Sequence, residues 1–333
     1  MAQTAVMGAG SWGTAFALVL ADAGNEVRLW GRRDELCDAI NARHENADYL
    51  PGVSLPDAIS ATSDPAVALD GAEIVVLAVP SQQLRANLEA WSRHIPADAV
   101  MVSLMKGIEL GTHQRMSEVI AEVTGAGSER IAVVSGPNLA REIANREPAA
   151  SVVACTDRSV AERLQKLMHS ATFRPYSITD VVGCELAGTA KNIIGLAVGV
   201  CVGLGFGDNT KASVITRGLA ETARLGAAIG ADPVTFMGLA GMGDLVATCS
   251  SPLSRNRTFG EKLGEGLSVE EVMAQTRQVA EGVKSCRSVS ELAKLNGVEM
   301  PIVEHVTALI EGELSPDELV MRLISRTAKP ETV

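Results

Sequence analysis

Residues 3–30, QTAVMGAGSWGTAFALVLADAGNEVRLW, carry the strongest indication of the fold. Residues 4–7 predict a strand, residues 14–23 a helix and residues 26–30 a second strand. Between the first strand and the helix lies a G-x-G-x-x-G turn formed by Gly8, Gly10 and Gly13. Such glycines let the backbone approach a pyrophosphate, which binds at the N-terminus of the helix. The turn in this context predicts a dinucleotide-binding domain, with a glycine turn used only for packing as the minor alternative.

Further apolar runs continue this pattern along the first half of the chain. They predict strands at residues 74–79, 100–104, 131–135 and 151–154. The unbroken apolar run 74–79 is typical of a strand buried on both faces. Strands that alternate with helical segments indicate β-α-β units, and hence an α/β, Rossmann-type domain with a mainly parallel sheet.

Helical periodicity dominates the second half of the chain, from about Glu185 to the end. We therefore place a domain boundary near residue 180. Residues 1–180 are predicted to form the dinucleotide-binding domain, and residues 181–333 an all-α domain that binds substrate and carries the catalytic groups. Residues 198–202 resemble a strand locally, but they lie inside a long stretch with helical spacing of Gly and Ala.

Composition excludes several classes of protein. The 333 residues include 29 basic and 40 acidic side chains, which gives a net charge of −11, and only 3% are aromatic. A general nucleic-acid binder would need a basic face, so no nucleic-acid partner is expected. The 47% hydrophobic content argues against disorder. What remains is an acidic, glycine-rich globular protein.

The sequence also predicts the compartment. Its six cysteines are scattered, which favours reduced and mostly buried thiols over a disulfide framework. No signal peptide is expected at the N-terminus. The longest uncharged run, residues 192–207, is 16 residues long and is interrupted by glycine, so no integral membrane segment is predicted. We expect a cytoplasmic protein.

The end of the second predicted strand bears on cofactor choice. An NAD-preferring site places Asp or Glu there to bind the ribose hydroxyls, whereas this chain has Arg32 and Arg33. Two guanidinium groups suit a 2′-phosphate, which favours NADPH. The alternative is a solvated surface pair, since Asp34 and Glu35 follow directly.

Chemistry-bearing residues of the second half lie in three short segments. Lys191 lies among small residues, before glycines at 195, 199 and 203 that line one helical face and allow another backbone to pack closely. Desolvation there would lower the pKa of the lysine toward the range useful for proton transfer, whereas a lysine that extends to water is the alternative. A second glycine-rich loop, residues 238–243, delivers Asp244. Residues 254–256, Ser-Arg-Asn, then combine a helix N-cap with a guanidinium, which suits a phosphate.

These segments together resemble one family along essentially the whole chain, the bacterial NAD(P)-dependent sn-glycerol-3-phosphate dehydrogenases. The matching pieces are residues 8–15 (GAGSWGTA), 106–109 (KGIE), 135–137 (SGP), 188–192 (GTAKN), 241–245 (GMGDL) and 254–256 (SRN). Their order and number are far more specific than any one glycine loop. The resemblance implies a Rossmann-type domain joined to an all-helical domain of the 6-phosphogluconate-dehydrogenase type, with the active site between them.

The resemblance also implies roles for individual residues. The implied catalytic residues are Lys191, Asp244, Asn192 and Lys106. The implied cofactor contacts, for NADP or NAD, are Gly8, Gly10, Ser11, Trp12, Gly13, Arg32, Arg33, Lys106, Ala140, Arg255, Val279 and Glu281. The implied substrate contacts are Lys106, Gly136, Asn138, Lys191, Asp244, Ser254, Arg255 and Asn256. Family members usually have Ser or Thr where this chain has Asn138, although Asn also forms hydrogen bonds.

The implied activity is the reversible reduction of dihydroxyacetone phosphate to sn-glycerol 3-phosphate, the backbone of glycerophospholipids. Lys191 would act as the general acid, and Arg255 would hold the phosphate. No metal is implied, the five histidines lie far apart, and the oligomeric state stays open, with a homodimer compatible with the resemblance. One alternative is another two-domain reductase, of the ketopantoate or hydroxyacid type. The other is a non-catalytic dinucleotide sensor, which would not need Lys191 and Asp244 together.

Overall fold

The amino-terminal half of the chain forms one eight-stranded sheet. The computed structural model describes residues 2–275 and 280–325. Its strands are β1 (Gln3–Met7), β2 (Glu26–Trp30), β3 (Ile59–Thr62), β4 (Ile74–Leu77), β5 (Val100–Ser103), β6 (Ile131–Ser135), β7 (Ala149–Cys155) and β8 (Phe173–Ile178). They lie in the order β3-β2-β1-β4-β5-β6-β7-β8. Every neighbouring pair is parallel except β6 with β7, so the predicted mainly parallel sheet is confirmed.

Two strands, β3 and β8, are not predicted from the sequence. They lie at the two edges of the sheet, where one flank of each strand is unpaired within it. β3 is four residues long and half polar, and β8 includes a charged residue and Pro175. Edge strands tolerate such residues because proline lacks the N–H that an interior strand must donate. Their patterns are therefore weak, whereas the interior strands have strong ones.

Seven helices belong to this half and cover both faces of the sheet. They are α1 (Ser11–Asp22), α2 (Asp34–Arg43), α3 (Pro65–Leu69), α4 (Leu84–Trp91), α5 (Met116–Thr124), α6 (Ala140–Ala144) and α7 (Arg158–Met168). Along β4, Ile74 and Val76 belong to one apolar core, and Val75 and Leu77 to the core on the opposite face. This alternation explains why the strand is an unbroken apolar run. α1 begins three residues earlier than predicted, at Ser11, directly after the glycine turn.

The second half is helical throughout its described residues. Its α-helices are α8 (Val181–Gly203), α9 (Asp208–Ala228), α10 (Asp244–Ser250), α11 (Arg255–Gly264), α12 (Val269–Gln275), α13 (Glu281–Leu295), α14 (Pro301–Ile310) and α15 (Pro316–Ile324). Asp180 caps α8, accepting a hydrogen bond from the Gly183 N–H at 2.9 Å. Residues 198–202 are helical, as predicted, and all six cysteine side chains are buried.

α8 is the central helix of this half. By length and by a mean hydropathy of 1.5 it could cross a membrane, but 83% of its most apolar window is buried inside the fold. Its side chains form one core with residues of α9, α11, α13 and α14. The apolar surface of α8 is thus accounted for by packing against neighbouring helices.

Glycines let α8 and α11 pack backbone to backbone. A Cβ at Gly199 would lie 2.0 Å from the Arg257 carbonyl oxygen, and one at Gly203 would lie 2.1 Å from that of Glu261. From the other side, a Cβ at Gly260 of α11 would lie 2.1 Å from the Leu196 carbonyl oxygen. The predicted close approach along this face of α8 is confirmed. Because backbone atoms cannot move aside as a flexible side chain can, these positions exclude any other residue unless the helices separate.

We expect Gly199→Ala to lower the free energy of unfolding by at least about 1–3 kcal/mol, because the added methyl overpacks a backbone contact. Gly207→Ala is the matched control, since a Cβ there meets no atom within 4 Å. It should change stability by less than about 1 kcal/mol. Urea unfolding of both variants measures the difference. Equal stability of the two variants would show that the helices tolerate separation.

Candidate functional site

Two predicted site residues lie at the carboxyl ends of neighbouring parallel strands. Lys106 lies three residues beyond β5, and Gly136 directly follows β6. The Lys106 ammonium donates a hydrogen bond to the Gly136 carbonyl oxygen at 3.2 Å. α8 passes so close that a Cβ at Gly188 would lie 2.9 Å from Ser135 Oγ. The site therefore forms where ligands bind in open α/β sheets, closed on one side by the helical half.

Lys191 reaches the same place from α8. Its side chain is only 12% exposed, and its ammonium donates to Thr248 Oγ1 at 2.6 Å. Burial lowers the pKa of the Lys191 amine to about 8, an effect that the Asp244 carboxylate opposes and the Lys106 ammonium reinforces. The predicted desolvation of this lysine is confirmed, and the alternative of a lysine extended to water is wrong.

Asp244 lies between the two lysines. It follows a single turn of π-helix, Leu239–Gly243, and is the first residue of α10. A Cβ at Gly241 would lie 2.2 Å from a backbone carbonyl oxygen, so this turn needs glycine. The carboxylate is 3% exposed; its Oδ1 lies 3.1 Å from Lys191 Nζ, and its Oδ2 contacts Lys106 Nζ. π-Helical turns recur at functional sites because they re-aim a side chain that a regular helix would point elsewhere.

We call Lys106, Asp244 and Lys191 the lysine cluster. Its formal charge is +1 when both amines are protonated. All three side chains are largely buried, with exposures of 16%, 3% and 12% respectively. In such a poorly solvated place, an oxygen that gains negative charge is stabilised more strongly than it would be in water. Of the two donors, Lys191 has a pKa of about 8. The cluster can therefore both polarise a carbonyl and supply a proton.

A second group of site residues lies at the start of α11. Ser254 is the N-cap predicted within residues 254–256, and its Oγ accepts from the Arg257 N–H at 3.3 Å. Asn256 Nδ2 donates to Asn192 Oδ1 at 2.9 Å, and Asn256 Oδ1 accepts from the Gly282 N–H at 2.9 Å. Asn192 is an implied catalytic residue, and the bonds described for it join it to Asn256 and to the Gly188 carbonyl oxygen.

Arg255 and Glu281 extend this group toward the sheet. Arg255 reaches solvent at the first turn of α11. Desolvation by the surrounding protein lowers the pKa of Arg255, and the Glu281 carboxylate opposes that shift. Glu281, the first residue of α13, accepts a hydrogen bond from Ser81 Oγ of the sheet half at 2.7 Å. Val279, a predicted cofactor contact, lies outside the described residues.

The glycine turn fits a dinucleotide. Gly8 has a φ of +138°, and a Cβ there would lie 2.5 Å from a carbonyl oxygen after β4. A Cβ at Gly13 would lie 1.9 Å from the Gly8 carbonyl oxygen. At Gly10, by contrast, a Cβ would meet no atom of the described residues within 4 Å. In the described part of the chain no side chain caps the start of α1, which leaves its first N–H groups for phosphate oxygens.

Residues around this turn support the same conclusion. Trp12 Nε1 is buried and has no partner among the described residues, which leaves a donor for a ligand. Ser11 Oγ donates to the Tyr49 carbonyl oxygen at 2.8 Å. Asn46, which the sequence analysis missed, donates to the Ala9 carbonyl oxygen at 3.0 Å and so braces the turn. No sequence pattern marks Asn46, because its role arises from a contact across 37 positions.

The two arginines after β2 differ in their surroundings. Arg32 and Arg33 are both exposed, and Arg33 forms an ion pair with Asp48. The hydrogen bond to Asp48 raises the pKa of Arg33. Because exposed ion pairs contribute little to stability, this pair can open when an anion binds. Ala140, another predicted cofactor contact, is the first residue of α6.

Asn138 lies in the chain segment after β6, two residues beyond Gly136, whose carbonyl oxygen accepts from Lys106. Its Nδ2 donates to Ser151 Oγ at 3.0 Å, and Ser151 Oγ donates in turn to the Ser135 carbonyl oxygen at 2.9 Å. Its Oδ1 is buried and has no partner in the described part of the chain. The amide thus fills the place of the hydroxyl usual in the family and retains an acceptor.

The sequence analysis missed two further site residues. Thr248 accepts a hydrogen bond from Lys191 and lies one helical turn after Asp244, a spacing that places both side chains on one face. That spacing is the pattern by which Thr248 was recognisable. Ser81 contacts Glu281 across 200 positions, and no local pattern indicates it. Within residues 2–275 and 280–325, no three His, Cys, Asp or Glu side chains are grouped to hold a metal ion.

Comparisons with known proteins agree with this geometry. Residues 3–161 match the model for the NAD-dependent glycerol-3-phosphate dehydrogenase N-terminus, and residues 180–321 match that for the C-terminus. A glycerol-3-phosphate dehydrogenase [NAD(P)+] from Streptomyces griseus is 64% identical over 99% of this chain and 98% of its own length. The glycerol-3-phosphate dehydrogenase structure from Coxiella burnetii is 37% identical and covers 98% of this chain and 99% of its own, with a TM-score of 0.93. A ketopantoate reductase structure from Ralstonia eutropha, with 18% identity, 95% and 99% coverage and a TM-score of 0.59, shares the fold alone.

The lowered pKa of Lys191 predicts a pH-dependent stability. Between pH 8 and 10.5 the folded chain binds fewer protons at Lys191 than the unfolded chain, so this residue's contribution to stability rises with pH across that window. Relative to Lys191→Met, the wild type should gain about 2–3 kcal/mol between pH 7.5 and 10.5. Urea unfolding at several pH values measures the gain, with Lys166→Met, an exposed lysine, as the control. A pH-independent difference would show that the Lys191 pKa is not lowered.

Proposed function

The chain belongs to the NAD-dependent glycerol-3-phosphate dehydrogenase family, and from that premise we propose how its own residues carry out the reaction. It is an oxidoreductase that uses NAD or NADP and reduces dihydroxyacetone phosphate to sn-glycerol 3-phosphate in a reversible reaction. The product is the backbone of glycerophospholipids. The observation that carries the mechanism is the lysine cluster, in which two buried ammonium groups share one carboxylate at the end of the sheet.

Lys191 is the general acid of this mechanism. A nicotinamide cofactor, when bound, would supply a hydride to the ketone carbon, and negative charge would then develop on the carbonyl oxygen. With a pKa of about 8, the Lys191 amine is protonated near neutral pH and can still transfer its proton to that oxygen. In the reverse direction the neutral amine takes the proton from the alcohol. Asp244 and Thr248 hold the amine in place through their contacts at 3.1 Å and 2.6 Å.

Lys106 has a different task in the same cluster. It is tied to the Gly136 carbonyl oxygen and to Asp244, which fixes its ammonium at the edge of the sheet. There it polarises the carbonyl and lies near the cofactor as well as the substrate. A preformed positive group of this kind needs no reorganisation as the charge develops. The unpartnered Asn138 Oδ1 is suited to accept a hydrogen bond from a substrate hydroxyl.

The substrate phosphate is bound at the start of α11. Arg255 supplies a guanidinium there, and Ser254 and Asn256 order the first turn of the helix. Asn192 supports Asn256 and so joins this turn to α8, one residue from Lys191. Binding energy from the phosphate is then used to align the ketone with the lysine cluster.

The residues that would hold the cofactor lie at the glycine turn and after β2. The glycine turn and the first N–H groups of α1, with Ser11 and Trp12, would bind its pyrophosphate. Arg32 and Arg33 would bind the 2′-phosphate of NADPH, for which Arg33 would give up its exposed pair with Asp48. Ala140 and Val279, together with Glu281 and Arg255, complete the cofactor contacts that we propose.

The organisation of the chain supports a division of labour. We assign residues 1–180 to cofactor binding, and residues 181–333 to substrate binding and catalysis. The helical sequence of the second half and its absence of a second dinucleotide turn support this assignment. We also propose a cytoplasmic protein that forms a homodimer, in keeping with its buried free cysteines and its family.

Two other functions are less well supported. Ketopantoate-type reductases share the fold, but the guanidinium at the start of α11 fits a phosphorylated triose better. A dinucleotide sensor would need the glycine turn alone. A sensor function would not account for Lys191, whose pKa is lowered to about 8, toward the range useful for a general acid.

Lys191→Ala should lower kcat by roughly 100- to 10,000-fold, because the developing alkoxide loses its proton donor. The Kd for NADPH should stay within about twofold of the wild type, since the glycine turn is untouched. Loss of NADPH absorbance on addition of dihydroxyacetone phosphate measures kcat, and fluorescence titration measures the Kd. Lys166→Ala, an exposed lysine on α7, is the control. Near-normal turnover of the Lys191 variant would remove this residue from the role.

Arg255→Ala should raise the KM for dihydroxyacetone phosphate by at least about 10-fold, because a charge-assisted hydrogen bond to the phosphate is lost. The KM for NADPH, measured with dihydroxyacetone phosphate in excess, should change much less. Steady-state kinetics with each substrate varied in turn separate the two effects. Arg146→Ala, which removes an exposed guanidinium paired with Asp22, is the control. An unchanged KM for the triose would refute the phosphate assignment.

A further inference from the structure

Glu185 is a buried carboxylate that the mechanism does not use. It lies on α8, six residues before Lys191, and its side chain is 3% exposed. Its Oε1 accepts a hydrogen bond from the Ser117 N–H at 2.8 Å. Its Oε2 accepts from Ser117 Oγ at 2.6 Å and pairs with Arg115 Nη1 at 2.7 Å. A carboxylate of the helical half thus caps the N-terminus of α5, a helix of the sheet half.

Arg115, one of the two residues that Glu185 binds, ends a loop that begins at Lys106. This loop, residues 106–115, closes on itself through a bridge between Ile108 and Arg115. Ile108 is 1% exposed and belongs to the apolar core of the helical half, although it lies in the sheet half of the chain. Gln82 donates to the Ile108 carbonyl oxygen at 2.8 Å, which ties the loop back to the residues after β4. The loop is therefore anchored in both halves.

The same ion pair connects two segments that each carry a lysine of the cluster. Glu185 lies about 9 Å along α8 from Lys191, at the 1.5 Å rise per residue of an α-helix. Arg115 lies at the far end of the loop from Lys106. Each lysine contacts Asp244 directly, without help from this pair. The pair itself bridges α8 and the end of the loop.

We propose that the Arg115–Glu185 pair is a positioning device, which sets the spacing of Lys106 and Lys191 for proton transfer and for polarisation of the carbonyl. The proposal rests on the roles assigned above to those two lysines. Neither Arg115 nor Glu185 touches the reacting atoms.

The packing of α8 determines whether loss of the Arg115–Glu185 pair changes kcat or KM. α8 and α11 are locked together through their glycines, so Lys191 and the phosphate-binding turn move as one unit. Lys106 and the glycine turn belong to the other half. Loosening the pair shifts one unit against the other. That displacement leaves the phosphate-binding turn and the glycine turn each intact, but it misaligns the ketone and its proton donor with Lys106 and the cofactor, which lowers kcat.

Glu185→Gln tests the proposal because it keeps the shape of the side chain and removes its charge. We expect kcat per folded active site to fall by about 10-fold or more, with the Kd for NADPH and the KM for dihydroxyacetone phosphate within about threefold of the wild type. Glu221→Gln is the matched control. Glu221 is a buried carboxylate, 5% exposed, that accepts from the Ile302 N–H at 3.0 Å entirely within the helical half. Both variants should lower Tm, but only Glu185→Gln should lower kcat.

A graded series keeps the test decisive if Glu185→Gln does not fold. Ser117→Ala removes one hydrogen bond to the carboxylate, and Arg115→Lys keeps the charge but loses the planar guanidinium. Arg115→Lys should recover more kcat than Arg115→Gln. If kcat stays at the wild-type value while Tm falls, the pair is structural only and the proposal is wrong. That failure is distinct from failure of the Lys191 assignment, which Lys191→Ala tests by itself.

Discussion

The structure depends on how closely the backbone of α8 approaches its neighbours. Along α8, Gly188 faces the end of the sheet, and Gly199 and Gly203 face the backbone of α11. A side chain at Gly199 or Gly203 would separate α8 from α11, and one at Gly188 would displace the side chain of Ser135. Lys191 lies on the same helix, between Gly188 and Gly199, and burial of its amine lowers its pKa to about 8.

This arrangement reconciles an acidic protein with anionic ligands. The net charge of −11 describes the whole surface, whereas binding depends on a few cations at the carboxyl edge of the sheet. There, Lys106 and Lys191 share one carboxylate, and Arg255 stands at the start of α11. Charges in a poorly solvated site act strongly over short distances, while exposed acidic residues are screened by water and salt. The overall charge excludes a general binder of polyanions but not a small phosphate pocket.

Much of the fold could be predicted from local patterns. Interior strands such as β4 have unbroken apolar runs because helices cover both faces of the sheet. Edge strands such as β8 have weak patterns, because about every second side chain is exposed and one edge of the strand pairs with no other strand of the sheet. The start of α1 was misplaced by three residues because helix propensity is low in a glycine turn, where tertiary contacts such as that of Asn46 hold the chain.

Local sequence patterns specify the α/β class, the glycine turn, the helical second half and the residue types of the site, because each of these leaves a pattern within a short segment. The groups that meet are set by the folded chain: Asp244 between two lysines that are 85 positions apart in the chain, Asn192 against Asn256, and Glu185 against Arg115. The physical reason is that burial and distance, rather than residue type, set the pKa of Lys191 and the pairing of every charge around it.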